Sequence, residues 1–224
     1  MTDHALPSMT PTGHTYTALD RAYAFFNSKL FGGELPCCLV TLQRKAKSYG
    51  YFAGNRFATR DGSQTTDEIA LNPNHFACRT IEEILSTLVH EMVHLWQYRL
   101  GTPPKSAYHN CEWANKMLEV GLIPSTTGEP GGKQTGTKVS HYIEESGRYE
   151  QAVRELLGDG FTLAYADVLQ TGTREKKAAS KTKYTCGECG ANAWAKPGIL
   201  LTCGECDNPM DEAQTAVTRW RAEN

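Results

Sequence analysis

The run His90-Glu91-Met92-Val93-His94 constrains this chain more than any other stretch. Residues four apart on a helix lie one turn along and about 40° apart in projection, so both imidazoles project from one face. The neighbouring residues ask for that helix. Ile81, Ile84, Leu85, Leu88, Met92 and Leu95 recur at helical spacing as an apolar stripe. The two histidines fall outside the stripe, which turns them away from the helix's own core contact and toward a cleft. Thr80 with Glu83 three residues on forms a capping box at the start, and Gly101 with Pro103-Pro104 ends the helix after Leu100. Two imidazoles on one face can share a zinc ion. Glu91 then projects beside them, where a water on the metal would lie.

Around this helix the chain alternates short strands and helices. Leu19, Tyr23, Phe26 and Leu30 predict a helix from Tyr16 to Phe31, stopped by Gly32-Gly33. Cys38–Leu42, Tyr49–Phe57 and Glu68–Leu71 read as strands separated by polar turns. After the His90 helix, a second is expected from Ala107 to Val120 and a third from Tyr149 to Leu157, followed by a short segment from Phe161 to Tyr165. Residues 124–140 are rich in Gly, Thr, Ser and Pro and read as a loop. The expected fold class is α+β, with a short sheet packed on the HExxH helix. Its expected extent is residues 14–171, after a disordered start at 1–13.

A catalytic zinc takes three protein ligands and keeps one position open. Gln97 and Leu100 stand where a further histidine soon after the motif would be. The next one is His109, expected at the start of the following helix, which Gly101 and Pro103-Pro104 can fold back toward the first. Glu112, one turn further on, competes for the position. Neutral imidazole is the better zinc ligand, and Glu112 can serve instead as an acceptor for a ligand N–H.

The C-terminal part carries a separate signal. Cys186-Gly187-Glu188-Cys189 and Cys203-Gly204-Glu205-Cys206 are two Cys-x-x-Cys knuckles at zinc-ribbon spacing. Four thiolates and no carboxylate make a closed, structural site. A module as short as residues 184–212 needs metal for its stability. Two zinc ions per chain are therefore expected, one catalytic and one structural. Cys37, Cys38, Cys78 and Cys111 lack such spacing and read as buried or half-buried thiols.

Net charge is −2, which gives no global basic signature for nucleic acid. The distribution is uneven. Residues 172–183 carry Arg174, Lys176, Lys177, Lys181 and Lys183 against Glu175, a basic linker before the ribbon, and residues 213–224 form a tail. The linker is either a solvated tether or, with Trp194 and Lys196 beyond it, a contact for DNA. Trp194 has the alternative role of packing on the ribbon core. No apolar run is long enough to cross a bilayer, and the polar N-terminus lacks the pattern of a signal peptide. The expected location is the cytoplasm, or the nucleoid or nucleus if the chain is DNA-associated, and not outside the cell.

The run His90-Glu91-x-x-His94, Trp96-Gln97, Gly101, His109-Asn110-x-Glu112-Trp113 and Met117 resembles the SprT-like metallopeptidases, which include the Spartan proteases. The likeness continues through Pro124-Ser125-Thr126-Thr127-Gly128, Gly131-Gly132-Lys133 and His141-Tyr142 to the Cys-x-x-Cys tail. It implies a zincin-like metallopeptidase domain in which His90, His94 and His109 hold zinc and Glu91 is the general base. Some members act on proteins crosslinked to DNA. The chain departs from the pattern at Asn110, where members often have Gly, and this weakens the transfer of substrate preference rather than of metal chemistry. His141 and Tyr142, after the Gly-rich loop, are candidate donors to a tetrahedral oxyanion, or else structural residues. Tyr49-Gly50-Tyr51-Phe52 is either an internal strand or an edge that pairs with an extended substrate. The function these features imply is hydrolysis of protein or peptide substrates, DNA-associated ones included. The rivals are a DNA-binding or transcription-associated zinc protein with an idle protease site, and an adaptor with two structural zincs. An intact Glu91 favours the enzyme, since a structural site needs no base.

Overall fold

In the computed structural model, residues 9–105, 108–167 and 181–213 are described, and the chain divides into two units, Met1–Gln170 and Thr171–Asn224. In the first unit, α1 (Pro11–Phe31) starts five residues before the apolar periodicity suggests. Thr10 caps it by accepting the Gly13 N–H at 3.1 Å, and Pro11 has the fixed φ of a first helical residue. That first turn is polar and partly solvated, so it leaves no trace in the hydrophobic pattern, and residues 11–13 are helical rather than part of a disordered start. Gly32, at φ 65°, closes the helix.

A mixed sheet follows. β1 (Leu39–Leu42) runs parallel to β3 (Thr65–Leu71), and β2 (Gly50–Ala58) pairs antiparallel with the other side of β3. The central strand is β3, and β2 is an edge. Between Ala53 and Phe57 the β2–β3 register shifts, and Asn55 adopts φ 49°. Asp67, almost fully buried, fills this irregularity. It accepts the Asn55 N–H at 2.7 Å and a two-pronged contact from Arg99 at 2.7 and 2.8 Å.

Arg99 belongs to α2 (Ile81–Leu100), the HExxH helix. The capping box forms as the sequence predicts, with Thr80 accepting the Glu83 N–H and Glu83 accepting the Thr80 N–H. The one-sided stripe does not describe its middle, however. From Ile84 to Val93 every residue is buried, Ser86, Thr87, His90 and Glu91 included, because sheet and helices surround it. Periodicity reports one apolar face and cannot report a polar face that is also covered. Gly50 sets how close β2 lies to this helix. A Cβ there would sit 2.8 Å from the Ala70 carbonyl oxygen and 2.9 Å from Thr87 Cγ2.

The next helix, α3 (Cys111–Val120), starts later than expected. Asn110 caps it by accepting the Trp113 N–H at 3.0 Å, which leaves His109 outside the helix. The segment read as one loop has strand at both ends, β4 (Leu122–Ser125) and β5 (Ser140–Ile143), paired antiparallel. α4 (Arg148–Gly158) closes the core, with Tyr149 stacked on Phe26 of α1 at 5.6 Å and donating its hydroxyl to the Glu82 carbonyl.

The second unit is a three-stranded antiparallel sheet with β6 (Thr182–Cys186) between β7 (Asn192–Ala195) and β8 (Met210–Glu212). Tyr184 is its core residue at 1% exposure, whereas Trp194 is 63% exposed. A core role for Trp194 is therefore excluded. Of the cysteines outside the knuckles, Cys37, Cys78 and Cys111 are exposed and only Cys38 is half-buried, so burial does not account for three of them.

Candidate metal centre

α2 presents His90 and His94 on one face, and the chain returns to them at His109. That residue is held by a two-way backbone bridge, its N–H donating to the Gly136 carbonyl at 2.8 Å and its carbonyl accepting the Gly136 N–H at 3.1 Å. Its ring Nδ1 lies 3.1 Å from the same Gly136 oxygen. A carbonyl can only accept, so Nδ1 carries the proton and Nε2 keeps the lone pair. The ligating atoms of His90, His94 and His109 lie within 4.8 Å of one another, a spacing that one ion can bridge with small ring rotations. Glu112 is not among them. It accepts Gln97 Nε2–H at 2.6 Å and the Thr102 N–H at 2.9 and 3.1 Å, which ties the end of α2 to α3 without touching a histidine.

Trp113 forms the floor of the cluster, a role the sequence reading does not assign. Its ring stacks on His94 at 5.2 Å and 24° and meets the edges of His90 and His109 at 5.0 and 4.3 Å. The one available signal is its position four residues beyond His109. Burial against this floor keeps the imidazoles neutral. Desolvation holds His94 down at about 3, and desolvation with the neighbouring imidazoles holds His90 well below its usual value. His109 is also lowered by burial. Neutral rings with ligating nitrogens this close together fit a zinc ion.

Glu91 is buried beside the cluster. Burial pushes its carboxyl up to about 8, against the pull of Lys45 and of the Phe52 N–H. The cleft in front holds about 780 Å³ and is lined by the three histidines, Glu91, Tyr49 and the start of the edge strand, Gly50 to Phe52. Tyr49 itself precedes the strand and is half-exposed.

The two candidate oxyanion donors, for which a structural role was the alternative, take other positions. His141 has both ring nitrogens engaged, one 3.0 Å from His90 Nδ1 and the other 2.8 Å from Ser86 Oγ. It lines the cleft but has no proton left for an oxyanion. Tyr142 pairs with Ile123 across β4 and β5 and is not part of the cleft lining.

In the second unit, Cys186, Cys189, Cys203 and Cys206 converge within the same 4.8 Å limit. The two knuckles repeat one backbone pattern. Cys186 N–H donates to the Ala191 carbonyl and accepts Gly190 N–H at its own, and Cys203 does the same with Asn208 and Asp207. Gly190 at φ 72° and Asp207 at φ 53° are the equivalent left-handed positions. The backbone N–H groups of Cys189 and Glu188 hold the Cys186 thiol down at about 7, toward the thiolate that metals require. Of the basic residues proposed for DNA, Lys181, Lys183 and Lys196 are exposed, while Lys176 and Lys177 lie outside the described residues.

The SprT-like family model matches residues 19–136, just over half of the chain, and this span holds the three histidines, Glu91 and Trp113. The chain belongs to the SprT-like family. It is also 56% identical over 59 residues, 26% of its length, to an uncharacterized protein of the mucB 3′ region in Salmonella typhimurium, covering 80% of that relative. Family membership and the two ligand clusters together support a metal-binding protein. The match ends at residue 136, so β5 with His141 and the four-cysteine unit lie beyond it. No helix among the described residues is long and apolar enough to cross a membrane.

Proposed function

We propose that the chain is a zinc-dependent peptidase, with a zincin-like catalytic domain and a C-terminal zinc ribbon. The observation that carries this proposal is Glu91, buried beside three convergent neutral imidazoles at the foot of an edge strand. In this assignment His90, His94 and His109 hold the catalytic ion, and Cys186, Cys189, Cys203 and Cys206 hold a structural one. Zinc bound by the histidines supplies Lewis acidity to a peptide carbonyl and lowers the pKa of water toward neutrality. Glu91 takes the proton of the attacking water and delivers it to the leaving amine. The exposed edge of β2 accepts an extended peptide as an additional strand, which lays the scissile bond along the cleft. Glu91→Gln keeps the shape of the side chain and removes the base. Proteolysis of an unfolded protein substrate should fall by orders of magnitude while bound zinc is retained, and full activity in that variant would exclude this mechanism.

A DNA-associated substrate is a second element of the proposal, favoured by the exposure of Trp194 on β7. Charge does not favour the ribbon itself. Over residues 184–212 the sequence has Lys196 against Glu188, Glu205, Asp207, Asp211 and Glu212. Attraction to phosphate then has to come from the linker, and the ribbon contributes base stacking. Running the proteolysis assay with and without single-stranded DNA tests this, and equal rates at low salt would remove DNA from the function.

A further inference from the structure

We propose that His141 is a positioning residue that holds His90 in its metal-binding tautomer through a hydrogen-bond relay anchored on the backbone carbonyl of Glu83. The inference rests on the assignment of His90, His94 and His109 as a metal centre. It is independent of what that centre catalyses.

The polarity of the relay follows from its anchor. Ser86 Oγ donates to the Glu83 carbonyl oxygen at 2.9 Å. A hydroxyl has one proton, so Ser86 Oγ can only accept from the group on its other side. That group is His141 Nε2, at 2.8 Å, which must therefore carry a proton. A neutral His141 then has its lone pair on Nδ1, which sits 3.0 Å from His90 Nδ1. Two bare nitrogens would repel, so His90 Nδ1 donates, and Nε2 is left with the only lone pair of the His90 ring. A backbone carbonyl cannot reverse its role, so the direction of all three bonds is set from one end.

Rigid elements hold the members in line. Ser86 is buried four residues before His90, on the same face of α2. His141 is carried by β5, in register with Pro124 of β4. Arg79 donates to the same Glu83 carbonyl at 2.6 Å and to Thr87 Oγ1 at 3.0 Å, which fixes the first turns of α2 around the anchor. Imidazoles that ligate metals generally donate their second N–H to a carbonyl or carboxylate. His109 follows that rule through Gly136, whereas His90 uses another histidine as the intermediary.

The experiment reads tautomers directly. Long-range ¹H–¹⁵N correlation spectra of the full-length, metal-free protein should show His90 protonated at Nδ1 and His141 protonated at Nε2. Zinc affinity of the histidine site is measured in parallel by chelator competition. His141→Ala should populate both His90 tautomers and weaken zinc roughly 10–100-fold, the usual effect of losing such a partner. His141→Gln should recover much of that loss, because its amide oxygen can accept from His90 and its NH₂ can donate to Ser86. Should His141→Ala fail to fold, Ser86→Ala provides the second reading, with mixed tautomers at His141 and a several-fold loss of zinc affinity. A wild-type His90 protonated at Nε2 would overturn the relay. So would unchanged tautomers and affinity in the substituted proteins. The spectra require no proteolysis, so an inactive wild type bearing the stated tautomers would sink the peptidase assignment and leave the relay standing.

Discussion

In the metal-free protein the cost of burying Glu91 has a pH signature. In the unfolded chain this carboxyl titrates at its ordinary value of 4.5, and in the folded metal-free protein burial moves it to about 8. Between those values the folded state holds a proton that the unfolded state has released, so stability falls as pH rises. The slope for one proton is about 1.4 kcal/mol per pH unit, or about 2 kcal/mol between pH 6.5 and 8. Below pH 6.5 the imidazoles act in the opposite sense. His94 at about 3 and His141 at about 4 stay neutral in the folded protein while their unfolded counterparts, near 6.5, take up protons. His90 and His109 are shifted the same way. Their combined effect exceeds that of one carboxylate, so stability should rise from pH 4 to about 6.5. Urea unfolding of chelator-treated protein, followed by helical circular dichroism, reads the first unit, which contains all four α-helices among the described residues. The difference between wild type and Glu91→Gln isolates the carboxyl. The glutamine oxygen still accepts the Phe52 N–H, but nothing ionises. The two curves should diverge by about 2 kcal/mol between pH 6.5 and 8, with the glutamine protein the more stable at the alkaline end. Parallel curves over that window would mean that Glu91 is ionised in the metal-free fold and that burial does not govern it.

Other outcomes follow from the contacts around the site. His109→Ala should strip the histidine site of zinc and leave the four-cysteine site loaded, which metal analysis of the purified protein will show; retention of both ions would exclude His109 as a ligand. Glu112→Ala should lower unfolding stability by roughly 1–3 kcal/mol through the stranded Gln97 and Thr102 donors, with zinc affinity close to wild type, and the reverse ranking of the two variants would make Glu112 the ligand. Gly50→Ala should cost roughly 1–3 kcal/mol in urea unfolding, because the added carbon meets the Ala70 carbonyl and Thr87; an unchanged midpoint would show that β2 can move off α2 freely. Trp194→Ala should leave the cysteine unit folded and zinc-loaded yet weaken single-stranded DNA binding by about 1–3 kcal/mol, and loss of zinc in that variant would contradict its exposed position.

Local events were legible in the order of the residues. The Thr80–Glu83 box, the stop at Gly101, the i, i+4 histidines and the two cysteine knuckles are short-range patterns, because caps, turns and helical faces involve residues a few positions apart. His109 could be named as the candidate third ligand from chemistry and family likeness, but not placed. It lies before α3, fixed by a bridge to Gly136 twenty-seven residues away, and no local pattern encodes that partner. The same limit hid the start of α1, whose first turn is too polar to show in periodicity. It also hid the covered polar face of α2. Long-range packing puts Trp113 beneath three imidazoles, turns Trp194 to solvent while Tyr184 fills the core, and makes Glu112 a brace for α2. Long-range packing also fixes the place of His141. From the sequence that residue is a histidine after a glycine-rich loop, free to serve any role. Only the pairing of β5 with β4, which carries it to Ser86 and His90, spends both of its nitrogens on the relay. Contacts between residues 51 and 55 positions apart are set by packing of the whole core, and a one-dimensional pattern contains no record of them.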